Sequence, residues 1–309
     1  MVSLQLASKA KCYPLESSLS TSILLIAFGK RGYGLMAHNL ALSLHKHSPN
    51  VPVHIFISED ISLNLTRPDL FTSINILPTK SYLNNAGRID PAKVKTQIYS
   101  LGRSIGLDKF LYLDVDGLAL CDIEPLLQDL NGTTVATEVM GLGGRFDEIA
   151  YNLWAKSERT WSHFGLSETA TLCGVQSSWM YFEAGRVCDK MQEYLDYYME
   201  VGIPRDMLQF DWGGTVPDEL LYQGVFAKMG IVPKRPTSKP VIYFGNAANV
   251  KPESEVKTGY YILSIYGQGI GKTLTLQRYF AMYERELKQL NSPSQLARIR
   301  QDKHLNRGN

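Results

Sequence analysis

Cysteine is sparse in this chain of 309 residues: there are four, at Cys12, Cys121, Cys173 and Cys188, and no two form a C-x-x-C pair. So low a count excludes a disulfide-stapled scaffold, and the spacing excludes a cysteine-built zinc site. Long apolar runs are missing too. The run near the start, Ile23 to Phe28 ("ILLIAF"), is far too short for a bilayer, which takes about 20 residues, and the Ser-rich stretch before it lacks a cleavage signal. A cytoplasmic protein is the expectation. An excess of either charge is absent as well. Lys and Arg number 32 against 30 Asp and Glu, a net +2, so the average charge demands neither nucleic acid nor an anionic membrane. Only the end departs from balance: from Arg278 onward basic residues predominate, as a helix and tail that is either solvated or a partner contact.

What the chain has is 44% hydrophobic residues, enough for a substantial core. "SILLIAF" reads as a buried strand, "GKRGYG" as a Gly-rich turn, "LMAHNLALSLHKH" as a helix and "VPVHIFIS" as a second strand. This βαβ opening predicts an α/β fold with a central, mostly parallel sheet flanked by helices and ligands at the carboxyl ends of its strands. "INILPT" follows as a strand. "DPAKVKTQIYSLGRSIG" reads as one helix, with Asp90 at its N-cap and Pro91 at its first position. Lys109 to Leu120 reads as a strand, "IEPLLQDL" follows it, and "TTVATEV" is a further strand. Residues 1–20 form an extension, 21–277 the main domain and 278–309 the C-terminal helix and tail. The two halves of the domain divide near Gly141 to Gly144, "GLGG".

"FLYLDVDGL" is the most informative stretch. It sets Asp114 and Asp116 two positions apart at the end of an apolar strand, where an extended backbone would point both carboxylates to one side. Two like charges at the mouth of a sheet lose solvation and repel, so they need a cation. A hard divalent ion, Mn²⁺ or Mg²⁺, meets that need and commonly bridges to phosphates. The bland alternative is a solvated turn after a strand, with Asp116-Gly117 at its tip.

At this point the chain resembles the nucleotide-sugar-dependent glycosyltransferases of the GT-A fold, in particular the glycogenin and lipopolysaccharide-galactosyltransferase type, family eight. "YLDVDGLAL" is similar to their D-x-D strand. Tyr33, Ala37, Leu40 and Ser43 match their Y…A..L..S pattern after the first strand, and Lys95 with Tyr99 matches a Lys-aromatic spacing ahead of the D-x-D. The resemblance implies that Tyr33 stacks on a uracil, that Lys95 and Asp114 help hold a nucleoside-diphosphate sugar, and that Asp114 and Asp116 bind the metal. It also places Gln176-Ser177-Ser178 where the family has N-S-G, and Asp218-Glu219 where it has Asp-Gln at a helix start. Gln176 and Asp218 are thereby candidates to meet the sugar or acceptor, and Asp211, beside Trp212 and Gly213-Gly214, is a further carboxylate that could reach a sugar. The four tryptophans, Trp154, Trp161, Trp179 and Trp212, are either core or a sugar-stacking platform.

"SIYGQGIGKTLTL" looks like a P-loop, but Tyr266 stands where G-x-x-x-x-G-K-T requires its first Gly, and it comes too late in the chain for a parallel sheet to follow. The resemblance offers another reading through its H-x-x-G-x-x-K motif. Tyr266, Gly269 and Lys272 occupy those positions, with Tyr in place of the metal-binding His, and Gly269 and Lys272 would hold the diphosphate. The implied activity is transfer of a hexosyl group from a UDP-sugar to an acceptor hydroxyl of a glycan, protein or small molecule, with retention. The rivals are a P-loop-like kinase or ATPase, a sugar-phosphate nucleotidyltransferase, and a catalytically silent relative that binds in the same cleft.

Overall fold

The computed structural model describes residues 21–29, 31–62, 67–84, 87–144, 155–209, 216–237, 240–243 and 261–264. In chain order the elements are β1 (Ser22–Ala27), α1 (Arg31–His47), β2 (Val53–Ser58), α2 (Glu59–Ser62), β3 (Ser73–Leu77), α3 (Pro91–Lys95), α4 (Ile98–Ser104), β4 (Lys109–Leu113) and β5 (Gly117–Ala119). They continue with α5 (Glu124–Leu130), β6 (Val135–Gly143), α6 (Ser157–Phe164), β7 (Leu172–Glu183), α7 (Arg186–Val201), α8 (Asp218–Met229), β8 (Val241–Tyr243) and β9 (Ile262–Ser264). No helix among the described residues is long and apolar enough to cross a membrane.

Six strands form one sheet in the order β3-β2-β1-β4-β7-β6. Four are parallel neighbours, and within the described part of this sheet β7 alone runs against the others. The aliphatic run of β1 follows from burial on both faces. Ile23, Leu25 and Ala27 face a layer built with α1 and α5, whereas Leu24 and Ile26 face α4, α7 and α8. Trp179 on β7 is fully buried and Trp161 nearly so, which makes both core, while Trp154 and Trp212 lie outside the described residues.

Three boundaries differ from the sequence reading, each for a tertiary reason. Helix α1 begins at Arg31, inside the expected Gly-rich turn, because one left-handed residue, Gly29 (φ 94°), is enough to turn the chain. Gly34 is thereby a helical residue, and a Cβ on it would come within 2.6 Å of the Ile61 side chain. The single helix expected from Asp90 onward is two. Asp90 does cap α3, accepting from the Ala92 N–H at 3.1 Å, but the helix stops at Lys95, whose carbonyl accepts from the Tyr222 hydroxyl at 2.8 Å. The long strand from Lys109 breaks at the D-x-D itself: β4 ends at Leu113, and β5 joins a separate three-stranded sheet, β5-β9-β8. The Gly141 to Gly144 stretch, by contrast, is largely strand, since β6 continues through Gly143 against Leu172.

Candidate functional site

Strand β4 sits between β1 and β7, and it delivers Asp114 to the carboxyl edge of the sheet. The Asp114 N–H donates to the Ser178 carbonyl at 2.8 Å, the last rung against β7. Beyond it the backbone bends, so Asp114 and Asp116 are joined by a turn rather than by continuing strand geometry. The two are still brought together. Both line a cavity of about 270 Å³, along with Tyr33 from α1, Lys95 from α3 and Asp218 from the first turn of α8.

Asp114 is held from two sides. Lys95 Nζ donates to its Oδ2 at 2.9 Å, and the Tyr112 hydroxyl donates to its Oδ1. Tyr112 stands two residues before Asp114, so the period of the strand puts its ring on the same side. Burial pushes the Asp114 carboxyl above its ordinary range, against the pull of Lys95 and Tyr112 in the other direction. Burial alone would lower the Lys95 ammonium, but Asp114, Asp218, Tyr112 and Glu219 together outweigh it and hold its pKa well above the usual value. Lys95 is therefore the resident counter-charge of this site. Burial, then Asp116 and Asp114, raise the Tyr33 phenol, which stays protonated.

Around this pair stands a ring of polar groups. Lys95 Nζ also reaches Ser177 Oγ at 3.3 Å, and Ser177 Oγ donates to Glu219 Oε1 at 3.3 Å. Glu219 is pushed up to about 8, first by burial and then by the adjacent Asp218. Asp218 is 7% exposed, and its Oδ2 has no hydrogen-bond partner among the described residues. An ordinary first-turn carboxylate favoured by the helix dipole would be solvated, and this one is not. Gln176 is buried on β7, where its backbone carbonyl accepts from Thr137 Oγ1 at 2.9 Å, and it does not border the cavity. Tyr99 points into the core and donates to Asp189 at 2.6 Å. Asp211, Tyr266, Gly269 and Lys272 lie outside the described residues.

Asp114 and Asp116 offer the oxygen ligands that a hard divalent cation takes, and they border one cavity, so they suit part of such an ion's shell. Among the described residues no group of three His, Cys, Asp or Glu side chains is arranged to hold a metal. The sequence gives Tyr112 no role, and it marks Ser177 and Glu219 only as neighbours of Gln176 and Asp218. The strand period from Asp114 was signal enough for Tyr112, and Glu219 sat in the Asp218-Glu219 pair, but nothing local pointed to Ser177 over its neighbours.

No protein-family model matches the chain, and no curated protein does. Among solved structures, the apo form of WbbM, a bifunctional glycosyltransferase, superposes with a TM-score of 0.55 at 13% identity, covering 91% of this chain and 53% of its own. The fold is that of a GT-A glycosyltransferase. The chain spans about half the length of WbbM. The galactosyltransferase LgtC, in complex with donor and acceptor sugar analogues, superposes at a TM-score of 0.49 and 14% identity, over 86% of this chain and 96% of that one. In the GT-A fold seen here, the D-x-D lies at the joint between the two sheets. Register pairs Gly117 with Ser264, so β9 runs beside the residue that follows Asp116.

Proposed function

We propose that this chain is a glycosyltransferase that moves a hexosyl group from a nucleoside-diphosphate sugar, a UDP-sugar, to an acceptor hydroxyl with retention. The observation that carries the reading is the convergence of Tyr33 from α1, Lys95 from α3, Asp218 from α8, and Asp114 and Asp116 from the turn after β4, on one cavity at the carboxyl ends of β1 and β4. Asp114 and Asp116 are the residues that would hold Mn²⁺ or Mg²⁺, and such an ion, when bound, neutralises the charge that develops on a leaving diphosphate. Lys95 supplies fixed positive charge next to these carboxylates and orients Asp114 together with Tyr112. Tyr33, on the cavity lining, is the base-stacking ring that the family resemblance implies. Asp218 Oδ2 is an acceptor in want of a donor, suited to a sugar or acceptor hydroxyl. By the family resemblance Gly269 and Lys272 would hold the diphosphate and Tyr266 would take the place of the metal-binding His, and the pairing of β9 with β5, which sets Ser264 beside Gly117, supports that assignment. The P-loop reading loses ground for the same reason. The strand ahead of Gly271 is three residues long and belongs to the small sheet, antiparallel to β5, rather than to the middle of the parallel one.

The test is thermal stability of the purified chain against a panel of nucleotide-sugars with and without Mn²⁺. A Mn²⁺-dependent rise with a UDP-sugar, lost in Asp114→Asn, is expected. A rise with ATP alone would overturn the reading.

A further inference from the structure

Beyond α3 lies a second, larger recess of about 1270 Å³ that the transfer chemistry leaves unused. The five residues of α3 separate it from the first cavity: Pro91, Val94 and Lys95 border the cavity, while Lys93, with Asp90 before the helix and Thr96 after it, borders the recess. The two spaces adjoin again at the start of α8, where Val216 and Leu221 line the recess and Asp218 lines the cavity. The volume is above the range of about 300 to 1,000 Å³ usual for small-molecule sites, which leaves room for a ligand of several sugar units.

The lining states the class of that ligand. Asp90, Asp196 and Glu200 stand against Lys93 and Arg205, a mixture of signs that suits neither a polyanion nor a lipid. One wall is fixed in advance of any ligand. Gln97 Nε2 and Gln192 Nε2 both donate to Asp196 Oδ1, at 2.7 and 2.8 Å, and Gln97 Oε1 accepts from Ser100 Oγ at 2.8 Å. A carboxylate pinned in this way and still exposed is an acceptor pre-set for neighbouring hydroxyls. Tyr82 also lines the recess and, in edge-on contact with Phe28 at 5.1 Å, offers an aromatic surface for the apolar face of a pyranose ring.

We propose that this recess binds a neutral oligosaccharide, the extended part of the acceptor beyond the hydroxyl that receives the sugar. Its role as acceptor site rests on the transferase reading; the binding itself does not. The experiment is saturation-transfer NMR on the full chain with neutral glucan-, galactan- and chitin-derived hexasaccharides, and a heparin hexasaccharide as the anionic control. A neutral oligosaccharide is expected to bind and heparin not to. Asp196→Ala and Gln97→Ala should each weaken binding about tenfold, the equivalent of roughly 1.4 kcal/mol. Lys93→Gln, on α3, gives a second variant, and a circular-dichroism melt of each shows that it folds. Hydrolysis of the UDP-sugar without acceptor should be unchanged in all three. Absence of binding across the neutral panel, or binding that none of these variants weakens, would overturn the proposal. Oligosaccharide binding by a chain that hydrolyses no UDP-sugar would instead sink the transferase reading and leave the recess standing.

Discussion

Lys95 carries a heavier load than any other side chain of the site, because it faces Asp114 directly and two further carboxylates at longer range. Replacing it with Met leaves Asp114, its side chain only 24% exposed, with the Tyr112 hydroxyl as its remaining described partner. We expect a loss of about 3 kcal/mol in urea unfolding, most of it recovered in the double variant Lys95→Met/Asp114→Leu. Equal losses in the single and double variants would show that the ion pair is not the cause. Glu219 adds a dependence on pH. Its carboxyl rises from the ordinary 4.5 to about 8 on folding, so the folded chain binds more protons than the unfolded one across that window, and stability falls as pH rises. Asp114 is raised as well and acts in the same direction. Glu219→Gln should therefore give a shallower decline in urea midpoint from about pH 5 to 8 than the wild type, and parallel slopes would refute this. At this scale much of the candidate site was legible: Asp114 and Asp116 through their two-residue spacing after an apolar strand, Tyr33 and Lys95 only through the family resemblance, and all four border one cavity. Ser177 and Glu219 were not singled out, because what sets their role is where β7 and α8 pass β4, which no local pattern records.

Among the elements, the strands are legible because burial on both faces imprints an aliphatic run on β1 and runs rich in aliphatic and aromatic residues on β2 and β4. Helix ends were read less well. α3 starts where its Asp90 and Pro91 announce it, yet stops for a Tyr222 hydroxyl that arrives from α8. Asp90→Ala removes the cap and should lower stability by about 1 kcal/mol, and because α3 carries Lys95 it should also weaken donor binding in the thermal-shift assay. Unchanged donor affinity in a destabilised Asp90→Ala would uncouple the helix from the site. Gly224 on α8 answers a different need. A Cβ there would fall 2.3 to 2.4 Å from the ring of Phe164 on α6, so the glycine is what lets the two helices meet. Gly224→Ala should cost about 1 to 3 kcal/mol despite its better helix propensity, read by thermal or urea unfolding. A neutral or stabilising result would mean that Phe164 has room to turn aside.

For the whole molecule, fold class followed from the βαβ opening, while the parting of β4 from β5 did not, since "KFLYLDVDGLAL" reads as one strand until its partners are known. Those partners lie at very different depths in the chain. The large sheet is complete once Glu183 has been reached, whereas β5 waits for β8 and β9, at Val241–Tyr243 and Ile262–Ser264. Pairings across so long a separation close slowly, because the loop entropy must be met before the contacts repay it. Pulse-labelled hydrogen exchange during refolding should accordingly protect the amides of Leu24 and Leu111 before those of Leu118 and Leu263. Simultaneous protection would contradict that order. The small sheet thus acts as a proof of completion: a nascent chain can assemble its scaffold early, but the bend that holds Asp114 and Asp116 is fastened only when its last described strand has emerged.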